Sequence, residues 1–391
     1  MQESKRACNM TNKPSVVFIT RYYPPNPNIN GESICDMVNY LQKYYGIEST
    51  IITTDRDFEG GGSKRAPAGR VIRFKTLFKS NHALPRFFTF LYDGFTLIRY
   101  SLKYKNSFLV VTTSPPMLPF WASLLYGKNI KWALWAFDLF PEGFAATNMI
   151  RRNNPVYKWV IRKTYQSSPA RLIALGPRQA AYIKNQTGRD LPTSILPCGV
   201  FFQQDKSETE PDWYEKHKII FGYCGNVHDA HNPEFIKAVI DCIDPAKHKL
   251  ILALYGSKAA EVKTYAQGKA GVALVDHVPR NQLHFIDVHL VSLTIKWTHI
   301  AVPSKAVSAI SIGSPILFCG CPDSDNWYMF REAGWLIDEQ AGTEAHVREF
   351  MARLDRAAIE DKKAKTAGIY EGLQRQVLKG YGEVAGEITD V

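Results

Sequence analysis

The 391-residue chain has no CxxC pair among its seven cysteines (Cys8, Cys35, Cys198, Cys224, Cys242, Cys319 and Cys321), and their odd number and scatter argue against a disulfide framework. Zinc is therefore not expected, and reduced thiols in a cytosolic protein are the simplest account. Long apolar runs are also missing. The most apolar region, Ser107 to Gly127, is broken by TTSPP and falls short of the roughly 18 uninterrupted residues that a membrane span requires. No apolar h-region follows the opening MQESKRACNMTNKP, so a secretory signal is not expected. No internal repeat is evident, which sets solenoids and propellers aside. Acids are outnumbered: 37 Asp and Glu against 48 Lys and Arg give a net charge of +11, which calls for an anionic partner such as nucleic acid, acidic lipid or a phosphorylated substrate.

What is present is a large supply of core residues, 45% hydrophobic and 12% aromatic, over a length that favours two domains. Short β-rich runs recur (VVFIT, STIITT, RVIRF, FLVVTT, IKWALWAF, RLIAL and TSILP, then KIIFGYCG, HKLILALYG, GVALVDHV, VHLVSLTI and SPILFCG), mostly separated by segments of helical period. Such alternation, met twice, predicts an α/β protein of two doubly wound, Rossmann-like domains with parallel sheets. The first is expected over 1–200 and the second over 218–365. The polar, aperiodic stretch 201–217 reads as the linker, and 366–391 as a C-terminal helix, with the chain turning helical and charged after Trp335.

In open α/β sheets, ligands bind beyond the carboxyl ends of the strands, where helix N-termini favour anions. Four stretches occupy such places. After the first strand, Asn30, Gly31, Glu32 and Ser33 form the tip of a Pro- and Asn-rich turn; either an anion is held there or Gly31 only lets the backbone turn. Asp138 and Glu142 follow the run IKWALWAF and are expected to face a cleft, Asp138 having the alternative of a helix N-cap. Ser304 is placed to cap a helix running through Ala306 to Ile312, with Lys305 in its first turn; a cation there opposes the helix dipole, so it is either solvated or shares a phosphate with the free N–H groups. Gly225 and Asn226 would allow close approach of a ligand, and the neighbouring His228, Asp229 and His231 lack a further ligand for a metal.

Between Arg73 and Lys105, Lys and Arg alternate with Phe, Tyr and Leu around a single acid, Asp93. This is either an anionic-membrane surface or a helix that packs its aromatics into the first domain. No nucleic-acid-binding motif accompanies it, and no nucleic acid is expected.

The ordered motifs TRYYPPNPNINGES, TTSPP, AFDLFPEG, LPCGV, GYCGN, VPRNQLHFIDVHLVSL and VPSK with AISIGSPIL resemble the family 4 glycosyltransferases, in particular the bacterial branch that builds surface polysaccharides, over about Ser15 to Asp338. The resemblance implies a GT-B fold, with two lobes facing across a cleft and a C-terminal helix crossing back to the first. It implies a retaining, metal-independent enzyme without cofactor, of hexosyl- or N-acetylhexosaminyltransferase type, which takes a nucleotide-sugar donor, UDP-linked by preference. The acceptor would be a saccharide or a polyprenyl-diphosphate-linked sugar. A lipid-linked acceptor would place the protein in the cytoplasm, peripheral at the inner face of the plasma membrane.

By resemblance, Gly31 and Glu32, with Ser33 beside them, lie over the donor diphosphate, Asp138 and Glu142 border the sugar, and Ser304 and Lys305 contact phosphate, with Lys305 easing departure of the leaving group. Two glutamates usual in the family fall here on Ile300 and Ser308, the latter at the ribose position, and Asn226 with HDAHN replaces a usual Arg and Lys. These departures leave open an unusual donor, a sugar-nucleotide epimerase on the same architecture, or a non-catalytic nucleotide-sugar-binding partner subunit.

Overall fold

A computed structural model describes residues 14–57, 64–79, 82–166, 169–199 and 206–390. The part of the expected linker over 201–205 lies outside them. Seven strands form the first sheet: β1 (Ser15–Ile19), β2 (Glu48–Thr54), β3 (Arg70–Phe74), β4 (Phe108–Thr112), β5 (Trp132–Trp135), β6 (Arg171–Ala174) and β7 (Thr193–Ile195). Six form the second: β8 (Ile219–Asn226), β9 (His248–Tyr255), β10 (Val272–Leu274), β11 (Val288–Ser292), β12 (Ile316–Gly320) and β13 (Gly334–Asp338). Helices α1 (Ile29–Tyr45), α2 (Ala83–Ser101), α3 (Leu118–Leu125), α4 (Glu142–Ala146), α5 (Pro155–Gln166) and α6 (Pro177–Thr187) belong to the first half. Those of the second are α7 (Pro233–Asp241), α8 (Ala259–Ala266), α9 (Ser304–Ser311), α10 (Asp325–Phe330), α11 (Thr343–Arg353) and α12 (Arg356–Thr389).

All pairings are parallel, in the orders β3-β2-β1-β4-β5-β6-β7 and β10-β9-β8-β11-β12-β13. Central strands are covered on both faces, which is why their sequences are continuous apolar runs: every residue of β4, β11 and β12 is buried. The order reverses between β1 and β4 in one sheet and between β8 and β11 in the other. Those two reversal points, where diverging crossover connections leave a crevice, set the location of any ligand site.

Three local expectations need correction. The chain does not turn wholly helical after Trp335: Gly334–Asp338 forms the edge strand β13, too short and too mixed to stand out by period. Residues Asn30 to Ser33 are not a turn tip but the first turns of α1, because Asn28 caps the helix by accepting from the Asn30 N–H at 3.0 Å. Nor does Ser304 cap α9; Pro303 precedes the first turn and makes no side-chain cap, while Ser304 is already helical.

The last helix, α12, ties the halves together. Its start contributes Ile359 to the second core, and its end lays Leu373, Val377, Tyr381, Val384 and Ile388 on the first. Arg171 on β6 pairs with Glu383 at 3.4 Å and Glu387 at 3.1 Å. The first core also continues without a break into Trp297, Val302, Ala306, Phe318 and Phe330 of the second half. Asp325 of α10 completes the join by accepting from the N–H groups of Arg178 and Gln179, both at 2.8 Å, at the open N-terminus of α6.

Gly31 has a packing reason. A Cβ there would stand 2.7 Å from the carbonyl oxygen of Tyr22 and 3.0 Å from Cα of Tyr23, both backbone atoms of the loop after β1. Gly31→Ala is expected to lower stability by about 1–2 kcal/mol by urea unfolding, overpacking outweighing the better helix propensity of Ala.

Candidate active site in the interdomain cleft

Both reversal points open onto one cleft of about 2130 Å³, lined from the first half by Arg21, Asn28, Asn30, Phe90 and Asp138 and from the second by Gly225, Asn226, His231, Ser304, Lys305 and Ser308. A small-molecule pocket usually occupies roughly 300–1,000 Å³, so this space holds two ligands side by side.

The central group is Lys305, in the first turn of α9. Its Nζ donates to the carbonyl of Asn226 at 3.0 Å, lies 3.1 Å from Nε2 of His231, and stands 5.1 Å above the ring of Tyr223. No carboxylate pairs with it among the described residues. Burial lowers its pKa to about 7, opposed weakly by Cys224 and Asp138. Gly225 makes room for it: at φ +134° and with any Cβ only 2.9 Å from Lys305 Cε, a larger residue would push the lysine aside. Burial also lowers the pKa of His228 to about 3 and that of His231 as well, and the field of Lys305 adds to both, so the imidazoles are neutral and His231 is able to accept. No group of three or more metal-ligating side chains occurs among the described residues.

Around this cation the N-terminus of α9 is open. Pro303 offers no side chain to the free N–H groups, and Ser304 and Ser308 stand beside them on the cleft wall. Free helix N–H groups, hydroxyls and a desolvated ammonium together make a site for an anion. Asp138 follows β5 and also lines the cleft; burial raises its pKa to about 6, with Lys305 pulling it back.

Other expected residues are elsewhere. Glu142 is turned away from the cleft: it is the first residue of α4, buried, and accepts from the phenols of Tyr165 and Tyr182, the latter at 3.4 Å. Burial raises its pKa, the tyrosine hydrogen bonds opposing. Glu32 does not line the cleft either. It forms a two-bonded pair with Arg280 of the second half, at 2.7 and 2.9 Å, and so joins the lobes instead of facing a ligand. Ser33 donates to the Ile29 carbonyl at 3.0 Å and lies 3.3 Å from the Cys198 thiol, while Gly31 is covered by the β1 loop. Ile300, at the first missing glutamate, is an interface residue whose carbonyl accepts from the Leu139 N–H at 3.0 Å.

One cleft residue escaped the sequence reading. Arg21 comes two positions after β1, at the reversal point itself; its place at the end of the first strand was the available signal.

No family model matches the chain. Over 229 residues it is 26% identical to the Probable glycosyltransferase WbjE of Pseudomonas aeruginosa, a match covering 52% of this chain and 55% of that protein, so the chain spans about half the length of that curated relative. Three solved structures are alike over nearly their whole length. Sucrose-phosphate synthase of Thermosynechococcus elongatus superposes with a TM-score of 0.68 at 15% identity, covering 95% of this chain and 99% of that one. The E. coli trehalose-6-phosphate protein bound with UDP-2-fluoro glucose gives 0.67 at 10%, covering 96% and 99%. WaaG, a glycosyltransferase involved in lipopolysaccharide biosynthesis, gives 0.65 at 14%, again covering 96% and 99%. The chain has the GT-B fold. In this GT-B protein, Lys305 lies on the second lobe and Asp138 on the first, with the cleft between them.

Because Lys305 loses its proton as pH rises through about 7, anion affinity at this site should be highest below that value and fall above it. Sulfate, whose own charge is constant in this range, is the probe. The part of its binding that disappears in Lys305→Met should weaken by about tenfold or more from pH 7 to 9, each unit beyond the pKa being worth a factor of ten.

Proposed function

We propose that this protein is a glycosyltransferase that moves a sugar from a nucleotide-sugar, UDP-linked by preference, to a saccharide or lipid-linked acceptor in bacterial surface polysaccharide synthesis. One observation carries the reading. A largely buried ammonium with no ion-pair partner among the described residues, Lys305, stands at the open N-terminus of α9 on a cleft large enough for donor and acceptor.

Transfer of a sugar from a nucleoside diphosphate builds negative charge on the departing phosphate. Lys305 and the α9 N–H groups meet that charge in a partly buried site, where a fixed dipole or cation acts more strongly than in open water. Asp138, across the cleft and with its pKa raised to about 6, orients a sugar or acceptor hydroxyl or takes its proton. The 26% identity to WbjE and the fold shared with WaaG and with the structure holding UDP-2-fluoro glucose favour this chemistry over other uses of two Rossmann-like lobes. Retention of anomeric configuration belongs to the same proposal and comes from the family resemblance.

A lipid-linked acceptor fits the outer face of α2. The inner face of this helix buries Leu97 and Ile98 in the core, while Leu84, Phe88, Tyr92 and Phe95, at helical spacing, are exposed. Helix α3 packs against both α2 and α5, and α5 adds exposed Val156 and Trp159. Arg86, Arg99, Lys103, Arg152, Lys158 and Arg162 are exposed in the same three-helix region. No described helix is long and apolar enough to cross a membrane, so this face would rest on an anionic bilayer surface.

Thermal-shift measurements with UDP-, GDP- and dTDP-sugars test the donor: a ligand at 100 times its Kd adds about 2.7 kcal/mol, and the UDP-sugars are expected to rank first. Stabilisation by none of them defeats the reading. Lys305→Ala should lower kcat at least about tenfold with the fold kept. Vesicles containing acidic lipid should bind the protein in a salt-sensitive way, and the Phe88→Asp/Trp159→Asp double variant should bind about tenfold less tightly or worse.

A further inference from the structure

Arg21 is only 4% exposed, yet its Nε and Nη2 have no hydrogen-bond partner among the described residues. Its guanidinium lies 4.6 Å from the ring centre of Phe90 and 5.2 Å from that of Tyr22, so aromatic faces cover it. A buried guanidinium is ordinarily paired. The acid whose field reaches it, Asp93, is committed elsewhere, accepting from Thr76 Oγ1 at 2.6 Å and from the Leu77 N–H at 3.2 Å, and makes no ion pair with it. A second guanidinium, that of Arg86, approaches the same Phe90 ring at 5.4 Å. Arg21 and Arg86 both line the cleft, beside Phe87, Phe90 and Phe144.

This cationic pair is distinct from the Lys305 site. Arg21 follows β1 on the first lobe, whereas Lys305 lies in α9 on the second, so the two cations line the cleft from different halves. The two sites nevertheless adjoin, since the field of Arg86 reaches His228, which lies beside Lys305. Arg86, Phe87 and Phe90 are also carried by α2, the helix whose other face presents Leu84, Phe88, Tyr92 and Phe95 to the outside.

We propose that Arg21, with Arg86, forms a second anion subsite on the first lobe, and that it holds the phosphate or diphosphate group of the acceptor. Calling the ligand an acceptor rests on the transferase reading; the subsite rests on Arg21. The unpaired guanidinium gains its missing hydrogen-bond partners from the phosphate oxygens, Arg86 adds a second charge from the cleft edge, and the apolar part of an amphiphilic phosphate leaves along the exposed face of α2.

The test titrates the full-length chain with geranyl diphosphate, inorganic pyrophosphate and geraniol, with and without saturating UDP, in wild type, R21Q, R86Q and K305A. Geranyl diphosphate should bind with UDP present, and R21Q should weaken it about tenfold or more while changing UDP affinity by less than about twofold. Thermal melts check folding of R21Q, and R86Q, on an exposed residue, serves as the second variant with a loss of about threefold or more. Inorganic pyrophosphate should bind at least about fivefold more weakly than geranyl diphosphate, because it lacks the apolar part. Equal affinity of the two would overturn the acceptor assignment in favour of a free-anion site. Displacement of geranyl diphosphate by UDP, with loss in K305A but not in R21Q, would overturn the subsite altogether. If UDP fails to bind while R21Q still loses geranyl diphosphate, the donor reading fails and the subsite stands.

Discussion

The cleft is organised around a positive charge that the protein does not neutralise. Taking the Lys305 ammonium out of water is unfavourable, and no carboxylate pairs with it among the described residues; a carbonyl, a neutral imidazole, an aromatic face and the more distant Asp138 compensate in part. Much of the local sequence follows from keeping that arrangement. Gly225 leaves the space in which the lysine lies, Asn226 ends β8 with its carbonyl turned toward it, and His231 is buried deeply enough to stay unprotonated beside a cation. Such residual electrostatic strain has one natural relief, the arrival of an anion, and the parallel sheets deliver this site to the place where an α/β protein leaves an opening.

The architecture was legible because the strands are covered on both faces. A central strand buried on both sides reads as a continuous apolar run; the edge strands β3, β7 and β10 were found by their β-rich runs instead, while β13, with Gly, Trp and Asp in five residues, was missed. Lys305 was legible because a cation in the first turn of a helix contradicts the dipole and so asks for an explanation. The direction in which a side chain points was not legible. Asp138 and Glu142 both follow β5, but one turn of α4 is enough to rotate Glu142 onto Tyr165 and Tyr182, and a strand-end argument cannot separate the two. Glu32 has its partner 248 residues away in Arg280, a pairing that only the docking of the lobes creates. Arg21 was hidden in plain composition, a lone arginine in an aromatic loop, until its missing partners became visible.

Helix α2 packs into the first lobe, one of the two alternatives its composition had left. One side buries Leu97 and Ile98, while Leu84, Phe88, Tyr92 and Phe95 stand exposed on the other. The cleft-facing Arg86, Phe87 and Phe90 lie nearer the start of the helix, on the side of its core residues. That gives α2 a part in the fold, in the cleft and in the outer surface at once.

The shared apolar core beneath α12 has a different consequence. Because side chains from both sheets meet in a single cluster, cutting the chain between them would strip cover from both halves at once. The second half keeps buried clusters of its own, but part of its cover comes from the shared one, so separating the halves would expose apolar surface on each.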